Sequence, residues 1–146
     1  MIEHIAILKK SWKLAEKILD GRKTIESRWY RAKYAPWDKI YAGEIIYFKE
    51  SGEPVTIKAE VEKVLQFELS PEKVRELLVE FGSKGKIYIS DFNKTLKQNK
   101  DKKYCILVFL KNPQVIEPFN INKTGFGIMS AWLCVEDIEK IKIKSS

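Results

Sequence analysis

The chain has 146 residues, 45% hydrophobic and 32% charged, a balance that excludes a disordered or fibrous polypeptide and supplies the apolar mass for one folded domain. Twenty-seven Lys and Arg against 20 Asp and Glu leave a formal charge of +7, which suits a phosphate-bearing partner and equally fits the Lys- and Glu-rich surface of a heat-adapted protein. No apolar run is long enough to span a bilayer, and residues 1–10 mix charge with Ile and Leu where a signal peptide would be uninterrupted, so a cytoplasmic protein without a membrane partner is expected.

Residues 3–9 predict a first strand, with Ile5 and Ile7 alternating with their neighbours. Ser11 is placed to cap a helix over residues 12–20. Trp12, Leu14, Ala15, Ile18 and Leu19 share one side of its wheel, and Lys13, Glu16, Lys17 and Asp20 the other. Gly21 stops it. Residues 24–29 are extended. A strand over 44–49 and a half-buried strand from Val55 flank the turn Ser51-Gly52-Glu53-Pro54 and predict a hairpin. Ser70-Pro71-Glu72 starts a second helix, with a capping hydroxyl, a proline in the first turn and an acid beside it. Val74, Leu77, Leu78 and Phe81 form its apolar stripe before Gly82. A short helix begins at Ser90-Asp91 and carries Phe92 and Leu96. The basic run 94–103 reads as an exposed helix end and loop. Residues 104–110 predict a central strand and 114–119 another, interrupted by Pro118. Residues 135–143 fit either a short helix or a last strand.

This order lacks the regular strand–helix alternation of a parallel sheet. It predicts an α+β fold, a small, mostly antiparallel barrel with helices at its mouth. One domain spans 1–146, with a helical and basic insertion at 70–103. Cys105 and Cys134 both sit among apolar neighbours and read as small buried hydrophobes. His4 is the only histidine, so a zinc set lacks ligands, and no acidic cluster advertises magnesium; no metal or cofactor is expected.

Two segments carry the chemistry. The first is Gly21-Arg22-Lys23-Thr24-Ile25-Glu26-Ser27-Arg28. The period of an extended chain puts Thr24, Glu26 and Arg28 on one face, with Lys9 of the first strand nearby. Glu26 is expected to orient Lys23 and Arg28 toward a phosphate or a base edge, and a carboxylate held ionised by two cations is a weak general base. The competing reading is a plain ion-pair ladder. The second segment runs from Arg28 to Trp37. Arg28, Arg31 and Lys33 suit phosphate, while Trp29, Tyr34 and Trp37 offer flat faces for bases; Trp29 or Tyr30 is also a core candidate. A weaker candidate is the glycine-containing segment 122–132, where Lys123 and Phe126 would contact a ligand if the segment closes over a cleft. A turn followed by a buried Trp132 explains it at least as well.

An amphipathic helix followed by Gly21, Lys23, Glu26 and Arg28 in G-x-K-x-x-E-x-R spacing resembles the signature of the ASCH family, whose members have a PUA-like β-barrel. Gly43-Glu44-Ile45-Ile46 matches a later element of that family with Glu in place of Asp. The resemblance covers about the first half of the chain. It implies a motif-lined cleft that faces RNA or a modified nucleoside, and no single activity. Some members resemble RNA-binding modules, some are nucleases, and one branch is an amidohydrolase on N4-acetylcytidine that uses Lys, Thr and Glu. Lys23 matches that lysine. Glu26 stands where the threonine falls, so the nucleophile position is lost, and Thr24 is two residues away from it. The downstream glutamate has three candidates, Glu72, Glu76 and Glu80. The leading expectation is a binding module for RNA or a nucleotide ligand. The alternatives are a hydrolase (nuclease or amidohydrolase) in which Lys23 is catalytic with Glu26 or Thr24 assisting, and an adaptor that offers the aromatic loop to an acidic protein.

Overall fold

A computed structural model of the chain describes residues 1–10, 13–82, 87, 89, 91–127 and 130–143. In chain order these form β1 (Glu3–Leu8), α1 (Leu14–Leu19), β2 (Ile25–Tyr30), β3 (Ile45–Glu50), β4 (Val55–Glu68), α2 (Pro71–Phe81), α3 (Phe92–Asn99), β5 (Tyr104–Ile121), β6 (Trp132–Val135), a 3-10 turn (Ile138–Lys140) and β7 (Lys142–Ile143). The strands make one mixed sheet in the order β2-β5-β4-β3-β1-β6, with β7 on the far end of β5. Among the described residues only β1 and β3 run parallel; the other pairs are antiparallel. The sheet curls into a half-barrel, and with the three α-helices among the described residues the chain is α+β, as its element order predicts.

Strands β4 and β5 set the curl. They are 14 and 18 residues long, and their pairing shifts register at three places. Each shift adds local twist and lets a long strand bend instead of ending. The strand expected at 114–119 is therefore not separate. Asn112 takes a left-handed φ of 52°, and the ladder resumes with Gln114 opposite Lys58. Pro118, which has no N–H to donate, is exposed on this outer stretch. Residues 135–143 resolve into the end of β6, the 3-10 turn and β7.

The core follows the alternation of the strands. Ile106, Val108 and Leu110 point to the concave side, where they meet Phe48, Ile57, Val61 and Trp132. Cys105 and Leu107 point the other way and pack with Ile25 and Leu77. A third cluster, with Ile5, Tyr47, Phe119 and Leu133, covers the outer face at the opposite end. Helix α1 drops Ala15 and Ile18 into the concave core and so sits at the mouth as expected. It is shorter than its periodicity suggests, starting after Lys13 at φ 52°; Ser11 and Trp12 lie outside the described residues. Helix α2 is capped by the Ser70 hydroxyl, which accepts from the Lys73 N–H at 3.1 Å. Its Leu77 packs on the convex face, so this helix clads the barrel rather than closing its mouth. The Asp91 side chain caps α3, accepting from the Lys94 N–H at 3.1 Å, while Ser90 lies outside the described residues. No helix among the described residues is long and apolar enough to cross a membrane.

Arg28 joins the two ends of the curled sheet. It stands on β2, and its guanidinium donates to the carbonyl of Ile7 on β1 and to that of Ala131, just before β6, both at 3.2 Å. It also lies 5.0 Å from the centre of the Trp132 ring, a cation–π contact. One side chain thus bridges a gap that the described backbone does not close.

Candidate functional site

The turn after α1 aims the motif inward. Gly21 adopts φ +82°, which only glycine takes without strain, and the Lys23 N–H then donates back to the Lys17 carbonyl at 2.9 Å. Lys23 consequently points under the helix and is 3% exposed. Its ammonium donates to the carbonyls of Ile25 at 2.7 Å and Ile87 at 2.8 Å. Burial pulls its pKa below the usual lysine value; the nearby Glu26 carboxylate opposes that shift and Arg28 adds to it.

Glu26 is 4% exposed. Opposite it on β5 is Val108, and opposite Arg28 is Ile106, so both charged residues share the concave face as period-2 geometry requires. The Glu26 Oε1 lies 3.8 Å from the Lys23 ammonium and 4.0 Å from Arg28 Nε. Its Oε2 is buried and has no hydrogen-bond partner among the described residues. The expected arrangement is therefore inverted. Lys23 and Arg28 spend hydrogen bonds on backbone carbonyls instead of projecting toward a phosphate, and the uncommitted polar atom is an oxygen of the glutamate.

A cleft of about 460 Å³ opens beside this group. Its floor includes Lys23 and Glu26, one wall carries Leu14 and Lys17 of α1, and another carries Ser27 and Trp29 of β2. Strand β2 is the end of the sheet order. The Thr24 carbonyl accepts from Leu110 of β5, so alternation turns the backbone of Ile25, Ser27 and Trp29 to the edge that has no strand partner among the described residues. The Lys23 bond to the Ile25 carbonyl agrees with that. The far wall is α3, which presents Asp91, Lys94, Thr95, Gln98 and Asn99.

Those α3 residues were not singled out from the sequence. Their spacing, i, i+3, i+4, i+7, i+8, is a polar stripe at helical period and was the available signal, but a polar stripe ordinarily faces water. The wall exists only because the segment that carries α3 folds back over the edge of β2.

The remaining candidates disperse. Lys9 is exposed, Thr24 is half-buried, and neither lines the cleft. Arg31 pairs with Asp101 at 2.7 Å on the surface. Lys33 lies 5.7 Å from the Tyr104 ring centre. Tyr34 is exposed and meets Tyr30 edge-on. Trp37 is half-buried, packing on the concave core and edge-on against Tyr104 at 5.0 Å, and does not line the cleft. Lys123 donates to the Ser130 carbonyl, and Phe126 packs on the outer cluster with Phe119, away from the cleft. Ile128 and Met129 of that segment lie outside the described residues. Glu72, Glu76 and Glu80 are exposed on α2 and outside the cleft lining. The Glu44 of the later motif element is structural: it accepts from His4 Nε2 at 2.8 Å and from the Tyr41 N–H at 2.8 Å. Among the described residues no group of three or more His, Cys, Asp and Glu is arranged to hold a metal ion.

No protein-family model and no curated protein matches the sequence. Solved structures do match the fold. The ASCH protein of Zymomonas mobilis superposes with a TM-score of 0.67 at 18% identity, over 94% of this chain and 90% of that one. Two variants of the same protein give 0.69 and 0.68 at 19% identity, over 94% of this chain and 91% and 93% of theirs. The chain thus has the α+β fold of the ASCH structures, extending past the half of the sequence in which the motif is legible.

Proposed function

We propose that this ASCH-fold chain is a binding module for RNA or another nucleotide ligand. The observation that carries the reading is the cleft, which has a buried charged floor, an aromatic wall in Trp29 and lysines on both flanking helices. A base fits such a mixed apolar and polar recess, and phosphate favours its cationic rim. The surroundings add to this. The Lys103 N–H donates to the Tyr30 carbonyl, and Arg31 pairs with Asp101, so the basic run 94–103 is tied to the loop that carries Arg31 and Lys33. A backbone lying on this surface would leave a neighbouring nucleotide within reach of the cleft.

Fluorescence anisotropy with short single-stranded RNA, structured RNA and duplex DNA at two salt concentrations tests the reading. Binding should weaken steeply with salt. The surface change Lys97→Glu with Lys100→Glu should weaken it about tenfold or more while leaving the melting temperature nearly unchanged. Absence of binding to all three polymers and to free nucleotides would sink it.

Hydrolysis is the second reading, favoured by a buried lysine of lowered pKa at the floor of a cleft. Against it, the Lys23 ammonium is engaged by two carbonyls, Glu26 replaces a hydroxyl nucleophile, and α2 sends no glutamate into the cleft. Product analysis on the same samples separates the two, with intact nucleic acid expected.

A further inference from the structure

Most of the charge on the cleft floor is committed. Lys23 donates to two carbonyls, and Arg28 to two others across the sheet gap. Glu26 Oε1 faces both cations, while Oε2 is buried with no partner among the described residues. A buried acceptor without a donor is destabilising, and native structures rarely keep one without a use. The deep end of the cleft therefore offers an anionic acceptor. It suits an N–H group and repels phosphate. The outer part has the opposite character, with the exposed Lys94 of α3 and the half-buried Lys17 of α1 on its two sides.

We infer that the cleft takes a nucleotide in one orientation. A base bearing an exocyclic amino group points inward and donates to Glu26 Oε2, and the phosphate rests outward between Lys17 and Lys94. This rests on the nucleotide-binding reading above and assigns its polarity and its base selectivity. Oε2 reaches a base edge by a part-turn of the carboxylate about its terminal torsion, which is broad in energy. Trp29 on the β2 wall supplies an apolar face for the ring. Exchanging the amino group for a keto oxygen puts an acceptor at the exocyclic position and moves the donor to the adjacent ring nitrogen, so a carboxylate set against the exocyclic group meets an acceptor there. A site built around a hydrogen bond rejects the analogue that lacks it far better than an apolar pocket does.

Isothermal titration of the full chain with AMP against IMP, CMP against UMP, and adenosine and cytidine without phosphate tests this. The amino member of each pair should bind about tenfold or more tighter. Glu26→Gln should erase that preference, because the amide can present either oxygen or nitrogen, while retaining the gain from phosphate. Lys94→Ala should remove most of the gain from phosphate and keep the amino preference. Nucleotides that bind the wild type without amino–keto discrimination overturn the inference and leave the binding module standing. So does a preference that survives Glu26→Gln, or a Lys94→Ala effect as large on nucleosides as on monophosphates. If Glu26→Gln does not fold, the wild-type pairs and Lys94→Ala decide. No binding of any nucleotide or nucleoside overturns both readings.

Discussion

Lys23 shows how a buried cation is kept in a small protein. Two carbonyls and a carboxylate surround its ammonium, but burial still outweighs them and lowers its pKa. The unfolded chain therefore holds more protons on this lysine than the folded one from the folded pKa up to about 10.5, the ordinary value. Stability from this group rises with pH through that window. Lys23→Met abolishes the slope, although it also strands Glu26 and two carbonyls and lowers stability at every pH. Urea unfolding of both proteins from pH 7 to pH 10 should give a stability difference that widens in favour of the wild type. A difference flat across that range would mean the lysine is not held below its ordinary pKa. His4 is a second buried titratable group with a different arrangement. Trp132 Nε1 donates to its Nδ1 at 3.1 Å, which places the imidazole proton on Nε2, facing Glu44. Burial lowers the pKa of His4 too.

Helices α2 and α3 differ in what holds them. Helix α2 buries Val74, Leu77 and Leu78 against the sheet, whereas α3 buries no residue fully and relies on its Asp91 cap and on partial packing. Elements with few buried apolar contacts open locally at low free energy. Amide hydrogen exchange should therefore be faster in the last turn of α3 than in the last turn of α2, and a bound nucleotide should slow α3 selectively. Equal protection in the free protein would show that α3 is locked to the fold independently of a ligand. Its polar stripe faces the cleft because the chain returns over the outer edge of β2.

At the scale of the whole molecule, the barrel is completed by a side chain. Arg28 bridges β2 to β1 and to the residue before β6, bringing together positions 21 and 103 residues apart in sequence. Arg28→Lys keeps the charge but loses the fork that reaches both carbonyls at once. It should cost roughly 1.5–3 kcal/mol in urea unfolding, since a hydrogen bond to a charged group contributes about that much and the ammonium can keep only one of the two. A loss below about 0.5 kcal/mol would show that packing across the gap, and not the guanidinium, holds the half-barrel together.

The sequence by itself determined strands β1 to β4, the cap of α2, the turn at Gly21 and the motif that carries the ASCH resemblance, because each depends on periodicity or dihedral preference within a few residues; the continuous β5 and the strands after it needed the register of the sheet. It also placed Glu26 and Arg28 on one strand face, since alternation is a local property. Tertiary structure decided what that face does. Nothing local shows that the Lys23 ammonium meets the carbonyl of Ile87, 64 residues away, or that Arg28 spends its donors across the sheet gap. The loop of Trp37 has no period, so only its packing on the core and on Tyr104 shows that it is half-buried away from the cleft. The α3 wall was hidden for a related reason: a polar helical face is written the same way whether it meets water or a cleft, and the return of the chain chooses between them.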